Sequence, residues 1–414
     1  MKEIDVCIIG AGPGGATAAL KLNQLGIPSL LIDKAVFPRD KVCGDALSGK
    51  VMTILRRIDP KYVEAFDKID KVHINCWGIK YISPNQYELD IPYDPKYNIE
   101  TDAAPGYVSK RIDFDNFLVE QVKACPLVEL KEGVAITAFE KTKEGYIISD
   151  KSGEYKVKCK ILLVANGAYS AFTRKEAGIV KENMHYSGGI RAYYEGVDNF
   201  HKDNFIELHF LKEFLPGYLW VFPLPNGQAN VGAGMLSEEI VNKKVNLKES
   251  MLHLLENHPR FKERFKNAKL MGKIQGFGLP LGSKKRPISG DNYMLLGDAA
   301  SLIDPFTGEG IGNAIYCGFY AGLQVERCLK EQKFSAQFMK QYDVDIERVL
   351  GRELRFSRKL QMILFKYPWL FNIISRIAYS SRNLQEALSV MFMDSRESVL
   401  KPSFYFKNLF KRSS

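Results

Sequence analysis

An apolar run, Val6-Cys7-Ile8-Ile9, ends at Gly10 and gives way over residues 16–25 to apolar positions at helical spacing. A second apolar run at residues 29–32 ends on Asp33, so the opening of the chain predicts strand, glycine turn, helix, strand. Residues 114–124 predict a helix, and residues 134–140, 146–149, 155–159 and 161–164 predict four strands. Between residues 186 and 235, short alternating stretches punctuated by Gly, Pro and Asn predict an antiparallel sheet. Residues 244–268 are helical in pattern, with Met251, Leu254, Leu255 and Phe261 set among charges. Tyr293-Met294-Leu295-Leu296 reads as a short buried strand, and residues 310–320 as a helix that opens with small residues. There is no internal repeat and no low-complexity tract.

The first turn, Gly10-Ala11-Gly12-Pro13-Gly14-Gly15, has the strand and helix context that a dinucleotide fingerprint needs. Glycine lets the backbone approach a pyrophosphate, whose charge then faces the amides of a helix N-terminus. Asp33, roughly twenty residues on, is placed to hold a ribose hydroxyl. Nearly three hundred residues later, Gly297-Asp298-Ala299-Ala300, with Gly308 and Gly310 behind it, again joins a strand to a helix. Taken alone, Asp298 suits a helix N-cap. Taken with the first segment, it suits one hydroxyl of a flexible polyol, while the helix dipole stabilises negative charge on a reduced ring. FAD carries such a polyol in its ribityl chain and a nicotinamide cofactor does not, so the two segments together predict FAD. Arg111, just ahead of a helix, suits either a solvated surface charge or a contact to the pyrophosphate.

The expected architecture is therefore α/β: a Rossmann-like FAD-binding domain with an inserted antiparallel β-sheet substrate domain and a C-terminal helical extension. The pattern divides the chain into a discontinuous FAD-binding domain at 1–75, 101–185 and 270–330, a substrate domain at 76–100 and 186–269, and a helical cap at 331–414. Composition is that of an ordinary globular protein, 46% hydrophobic and 26% charged. Seven cysteines without a CxxC pair suit reduced thiols in a cytoplasm. The first strand begins too early for a signal peptide, and no apolar stretch is long enough to span a membrane. The net charge of +10 does not gather into a recognition helix or an RNA platform, which argues against nucleic acid. Instead, from Phe356 onward, aromatic and aliphatic residues alternate with basic ones, including Met362 to Phe371, Arg376 and Phe404 to Arg412. That pattern suits either a packed cap or a peripheral contact with the inner face of a membrane.

These residues resemble a known group. Gly10 to Gly15, Asp33, Arg111 and Gly297-Asp298 are similar to the FAD proteins with the fold of aromatic hydroxylases. Within that group, Phe37-Pro38-Arg39-Asp40-Lys41-Val42-Cys43-Gly44 and Gly217-Tyr218-Leu219-Trp220-Val221-Phe222-Pro223 resemble the geranylgeranyl reductase family. The resemblance implies that Gly15, Asp33, Arg111 and the backbone around Ala135 hold the ADP half of FAD, with Gly10, Gly12, Gly14 and Lys34 also among the cofactor-binding residues. It further implies Cys43 and Gly44 beside the isoalloxazine, Asp298 on the ribityl chain, Gly310 and Ile311 at the pyrimidine edge, and Tyr218 and Trp220 along a lipid cavity. Asn166-Gly167 departs from the Asp-Gly pair common in such relatives, which leaves NAD(P)H and other electron donors open.

An isolated isoprenoid double bond accepts hydride poorly until protonation makes a tertiary cation. The faces of Tyr218 and Trp220 would stabilise that cation by about 0.5 to 2 kcal/mol per desolvated ring, or they are plain apolar lining. Cys43 reads either as a weak proton source or as a small wall beside the ring. His253 and His258 have no companion ligands at metal spacing, so no metal is expected. The leading expectation is an FAD-dependent oxidoreductase that reduces carbon–carbon double bonds of a polyprenyl or other lipid. A flavin-dependent monooxygenase or halogenase is the alternative, weakened because Tyr218 stands where the halogenase WxWxIP segment has its first tryptophan. A flavin-bearing lipid-binding protein or electron carrier without turnover is the third.

Overall fold

β1 (Lys2–Ile9) opens the structure, a computed structural model that describes residues 1–94 and 96–381. From Val6 onward every residue of β1 is buried, as expected of a strand covered on both faces. Helix α1 (Pro13–Gln24) carries the chain to β2 (Ser29–Ile32), which lies parallel to β1. On the other side β1 pairs in parallel with β11 (Lys156–Val164), and β18 (Tyr293–Leu295) pairs in parallel with β11. With β8 (Val128–Lys131), β17 (Ser289–Gly290) and the hairpin of β9 (Ile136–Lys141) and β10 (Tyr146–Asp150), the described residues form an eight-stranded sheet along the path β17-β18-β11-β1-β2-β8.

The two strands expected at 155–159 and 161–164 are this single strand β11. Lys156, Lys158 and Lys160 alternate with the buried Val157, Cys159 and Ile161, so Lys160 continues the period of two rather than breaking it. Its ammonium points away from the core to Asp5, 2.8 Å away.

Helices α2 (Gly49–Ile58), α3 (Pro60–Asp67), α4 (Arg111–Lys123), α5 (Ala171–Lys175) and α9 (Ile311–Glu331) accompany this sheet. α9 runs well past the expected end at 320 because Val325 and Cys328 prolong its buried stripe. It stops at Gln332, whose φ of 51° is left-handed. A small sheet of β3 (Ala46–Leu47), β7 (Gly106–Ser109) and β4 (His73–Cys76) leads to the second large sheet.

That second sheet has the order β16-β12-β15-β14-β13-β5-β6. Its members are β5 (Gly78–Ile82), β6 (Glu88–Pro92), β12 (Tyr186–Glu195), β13 (Ile206–His209), β14 (Gly217–Leu224), β15 (Gln228–Leu236) and β16 (Lys269–Pro280). It is antiparallel except at β13–β5, where two strands far apart in sequence lie parallel. Parallel neighbours need a long crossover, and the intervening nucleotide-side strands supply it. β16 pairs with β12 along nearly its whole length, so this sheet continues beyond the boundary expected at 269.

β14 shows how one strand serves two cores. Leu219 and Val221 pack with Met251, Leu254 and Phe261 of α7 (Leu247–Asn257) and α8 (Pro259–Lys262), which follow α6 (Ser237–Lys243). Trp220 and Phe222 face the opposite way, with Leu208 and Phe210. On the helix side of β13, Arg264 forks onto the buried Glu207, with Nη1–Oε2 at 2.5 Å and Nη2–Oε1 at 2.8 Å, and His209 lies 3.0 Å from the same carboxylate.

The chain ends its described part in α10 (Ala336–Ile346), α11 (Arg352–Lys366) and α12 (Trp369–Ser380). Leu364 and Phe371 join the Trp220 cluster, and Ala378 covers Leu89 and Ile91 of β6. The basic aromatic stretch at 404–412 lies outside the described residues.

Candidate active site

The glycines of the first turn do different physical jobs. Gly10 has a φ of 99°, and a Cβ there would meet the Ala165 carbonyl oxygen at 2.5 Å. A Cβ on Gly15 would lie 1.8 Å from the Gly10 oxygen, and one on Gly14 would lie 3.1 Å from the Ala314 oxygen of α9. Gly12 differs: its backbone is ordinary, with φ −70° and ψ −177°, and a Cβ would meet only Arg39 Nη2, at 3.6 Å. The Gly12 backbone is thus open on the side where α1 begins. Asp33 accepts from the amides of Ala11 at 2.7 Å and Ala35 at 2.8 Å, tying the end of β2 to this turn. Lys34 is exposed beside it, and the exposed Ala135 follows Val134, whose amide reaches the Asp33 carbonyl at 3.0 Å.

The second glycine segment meets the first. α9 lies along α1, and Gly318 is bare where a Cβ would sit 2.3 Å from the Gly14 oxygen. Gly297, at φ 59°, turns against Ala314 of the same helix. Asp298 caps no helix, which removes the N-cap alternative; its carboxylate takes the Lys41 ammonium at 3.1 Å.

One cavity lies where these elements converge on the second sheet. Pro13, Cys43, Gly44, Arg111, Asp298, Gly310 and Ile311 line it from the nucleotide side, and Ile206, Leu208, Tyr218, Trp220 and Phe222 from the other. The structure thus gathers Cys43, Gly44, Arg111, Tyr218, Trp220, Asp298, Gly310 and Ile311. Gly10, Gly12, Gly14, Gly15, Asp33, Lys34 and Ala135 belong to the glycine-turn end, outside that lining.

Arg111 is buried, not a surface charge. Its Nε and Nη2 each donate to Asp115 at 2.7 Å, and Arg39 adds a third bond at 2.6 Å. Burial pushes the Asp115 carboxyl up, but Arg111 and Arg39 outweigh it and hold the group below the usual carboxylate range. Tyr218 donates its hydroxyl to the Thr307 carbonyl at 2.6 Å, which fixes its ring 6.1 Å from that of Trp220. Burial pushes this phenol well above its ordinary value, so it stays protonated.

Sequence reasoning missed the residue that sets the aromatic wall. Asn230 on β15 accepts from Trp220 Nε1 at 2.8 Å and donates to the Cys43 carbonyl at 2.8 Å and to Asp45 Oδ2 at 2.7 Å. It therefore orients the indole and anchors the Cys43 loop with one amide. Its signal in the sequence was a lone polar residue in the apolar stretch Ala229 to Ala233. Asp45 was missed too. It is fully buried, at φ 71°, accepts from Tyr193 at 2.8 Å, and is pushed up to about 6 by burial, against the pull of Asn230, Tyr193, Arg191 and Arg111. Asn230→Ala should lower stability by about 1–3 kcal/mol, because the Trp220 N–H and the Asp45 carboxylate lose a buried partner. A thermal melt that matches the parent would contradict that assignment.

Two glycine-built helix starts that frame one cavity define an FAD flavoprotein, and the chain belongs to the FAD-binding domain family, whose profile matches residues 3–356. Within it, the protein is an FAD-dependent oxidoreductase of the geranylgeranyl reductase-like kind. Digeranylgeranylglycerophospholipid reductase of Thermoplasma volcanium is 32% identical over 372 residues, 87% of this chain and 85% of that one. A geranylgeranyl bacteriochlorophyll reductase-like protein of Thermoplasma acidophilum shares the fold with a TM-score of 0.80 at 24% identity, over 99% of this chain and all of its own. The flavin-dependent brominase Bmp2 shares it with a TM-score of 0.77 at 21% identity, over 99% of this chain and 98% of its own. The residues suit FAD: Gly12 leaves room for a pyrophosphate where a side chain would otherwise stand, and the cavity continues from that turn past Asp298.

Proposed function

We propose that this protein saturates carbon–carbon double bonds in a polyprenyl or similar lipid. The observation that carries the reading is the single cavity, polar at Arg111 and Asp298 and walled by Tyr218, Trp220, Phe222, Ile206 and Leu208 at the other side. A cofactor and an apolar chain share such a space without water between them. The name of the Thermoplasma volcanium relative supports a prenyl lipid as the substrate class.

In this reading Gly15, Asp33, Arg111 and the backbone at Ala135 would hold the ADP half of FAD, with Gly10, Gly12, Gly14 and Lys34 also binding the cofactor. Cys43 and Gly44 would lie beside its ring, Asp298 would take the ribityl chain, and Gly310 and Ile311 would meet the pyrimidine edge. Bound and reduced, FAD supplies hydride. The chain supplies the environment for the electron-poor carbon: the faces of Tyr218 and Trp220, held by Thr307 and Asn230, stabilise positive charge by about 0.5 to 2 kcal/mol each. Gly44 gives the closest approach, since a Cβ there would meet the Phe222 ring at 3.0 Å. Cys43 serves as the small wall.

The substrate reaches the cavity from a membrane surface. Met362, Ile363, Trp369, Ile373, Ile377 and Tyr379 are exposed on α11 and α12, with Lys366 and Arg376 among them, while Leu364 and Phe371 of the same helices pack against the cavity wall. No helix among the described residues is long and apolar enough to cross a membrane, so this contact is peripheral.

The test mixes dithionite-reduced holoprotein with a geranylgeranyl lipid in the absence of oxygen. Flavin reoxidation with a gain of hydrogen pairs in the lipid mass is the expected result. A flavin that stays reduced, and in air yields only hydrogen peroxide, overturns the reading in favour of a carrier. A product bearing oxygen or halide overturns it in favour of a monooxygenase or halogenase.

A further inference from the structure

One cluster on the cavity wall has no role in the reading above. Lys50 of α2 is 3% exposed, yet its ammonium lies 2.5 Å from Glu353 Oε1 of α11, 3.1 Å from Glu309 Oε2 ahead of α9 and 3.1 Å from Asn313 Oδ1 of α9. Ser48, at the start of α2, donates to the other oxygen of Glu309. Asp304, 1% exposed, faces the same lysine and is held by the amides of Phe306 at 2.9 Å and Thr307 at 2.8 Å. Glu309 and Glu353 both open into the cavity that holds Tyr218 and Trp220.

Three carboxyls surround one ammonium. Glu309 and Glu353 share the single charge of Lys50, and their side chains, 20% and 33% exposed, open toward the cavity while Asp304 lies buried behind them. The cluster thus sets more carboxyls than cations on the wall of a cavity whose proposed reaction consumes a proton.

We propose that Glu353 is the acid that protonates the double bond, with Lys50 and Glu309 as the residues that position it. This inference rests on the double-bond reductase reading above. The acid's O–H bond breaks and a C–H bond forms at one olefinic carbon. Reduced FAD, when bound, would supply the hydride for the second C–H bond at the other carbon, so that the alkene gains two electrons and FAD is oxidised. The carboxylate left behind recovers its proton from water, and an external two-electron donor restores the cofactor. Burial, reinforced by Glu309 and Asp304 against the pull of Lys50, pushes the Glu353 carboxyl up, the direction a proton donor needs. The groups that face the cluster are Lys50 from α2 and Ser48 just ahead of it, Asp304 and Glu309 from the loop before α9, Asn313 from α9, Ser357 from α11, Tyr218 from β14 and Tyr93 from the cavity wall.

The test uses FAD-loaded full-length protein and Glu353→Gln, with Glu309→Gln as a second variant. Infrared titration without lipid reads the carbonyl stretch of a protonated carboxylic acid, which shifts in heavy water. The band should persist at neutral pH in the parent, vanish in Glu353→Gln and titrate at lower pH in Glu309→Gln, which removes a like charge. Anaerobic reoxidation of the reduced flavin by a geranylgeranyl lipid should slow by about 100-fold or more in Glu353→Gln, with flavin occupancy and absorbance retained. A neutral-pH band that survives in Glu353→Gln, a parent without such a band, or a variant that reoxidises as fast as the parent overturns the proposal. A variant that only melts earlier, with band and rate unchanged, assigns the cluster a structural role and overturns it too. If the parent itself fails to reoxidise with lipid, the reductase reading falls, and the infrared result still decides whether Glu353 stores the proton.

Discussion

Gly12→Ala should fold like the parent chain and lose its flavin. The added methyl meets nothing closer than 3.6 Å in the protein, and the φ of −70° there suits alanine. The only thing it obstructs is the space above the start of α1, where a pyrophosphate would lie against the amides. FAD affinity should fall at least about tenfold, a loss of about 1.4 kcal/mol, with the circular dichroism and melting of the apoprotein unchanged. Quenching of flavin fluorescence during titration measures it, and an unaltered dissociation constant would remove Gly12 from the cofactor cradle. Gly15→Ala is the contrasting case. Its methyl would sit 1.8 Å from a backbone oxygen, so the turn itself must move and the apoprotein should lose stability as well.

Arg264→Ala should be the most destabilising substitution away from the cavity. It strips the fork from Glu207, which is 2% exposed, and leaves a buried carboxylate with only His209 beside it. Breaking a buried pair from one side costs about 3–5 kcal/mol, readable in a denaturant melt. The same pair dictates an acid limb. Burial alone would raise the Glu207 carboxyl, but His209 and Arg264 pull it down to about 2, below its unfolded value. A group lowered on folding contributes stability above its unfolded pKa and loses it as pH falls toward the folded one. The contribution, about 3 kcal/mol, should therefore be present above about pH 4.5 and drain away between there and about 2. Burial also holds His209 below its ordinary value, so its protonation on unfolding adds to the same loss in acid. In Glu207→Gln the part of the limb below about pH 4.5 should flatten. A limb unchanged by that substitution would show that the loss comes from elsewhere.

What the sequence made legible was local. The strand at Val6 to Ile9, the glycine turn and the acid at Asp33 follow one another within one supersecondary unit, so period and turn chemistry suffice to read them. Asp298 was legible for the same reason, as a strand end before a helix. Asn230, Asp45 and Lys50 were not, because the role of each depends on at least one partner more than a hundred residues away, such as Cys43 for Asn230, Tyr193 for Asp45 or Glu309 for Lys50. Arg111 was left between two readings until the fold placed Asp115 one turn along and Arg39 opposite. The parallel pair β13–β5 was hidden by the same distance: strand pattern shows that a segment is a strand and not which neighbour it chooses. β11 is a different kind of miss: two strands were expected with a gap at Lys160, which keeps the alternation of Lys156 and Lys158 in a single strand.

The route of the chain has a consequence for how the protein is made. α1 leaves the ribosome early, while the helix that covers it, α9, is among the later parts to be synthesised, after the whole second sheet. Throughout that interval the nascent polypeptide carries an uncovered greasy face, so faster elongation or scarce chaperones should penalise yield at this stage. Nor can the two sheets be expressed as separate cassettes: the ribbon visits each of them more than once, and any cut between them would orphan strands on both sides.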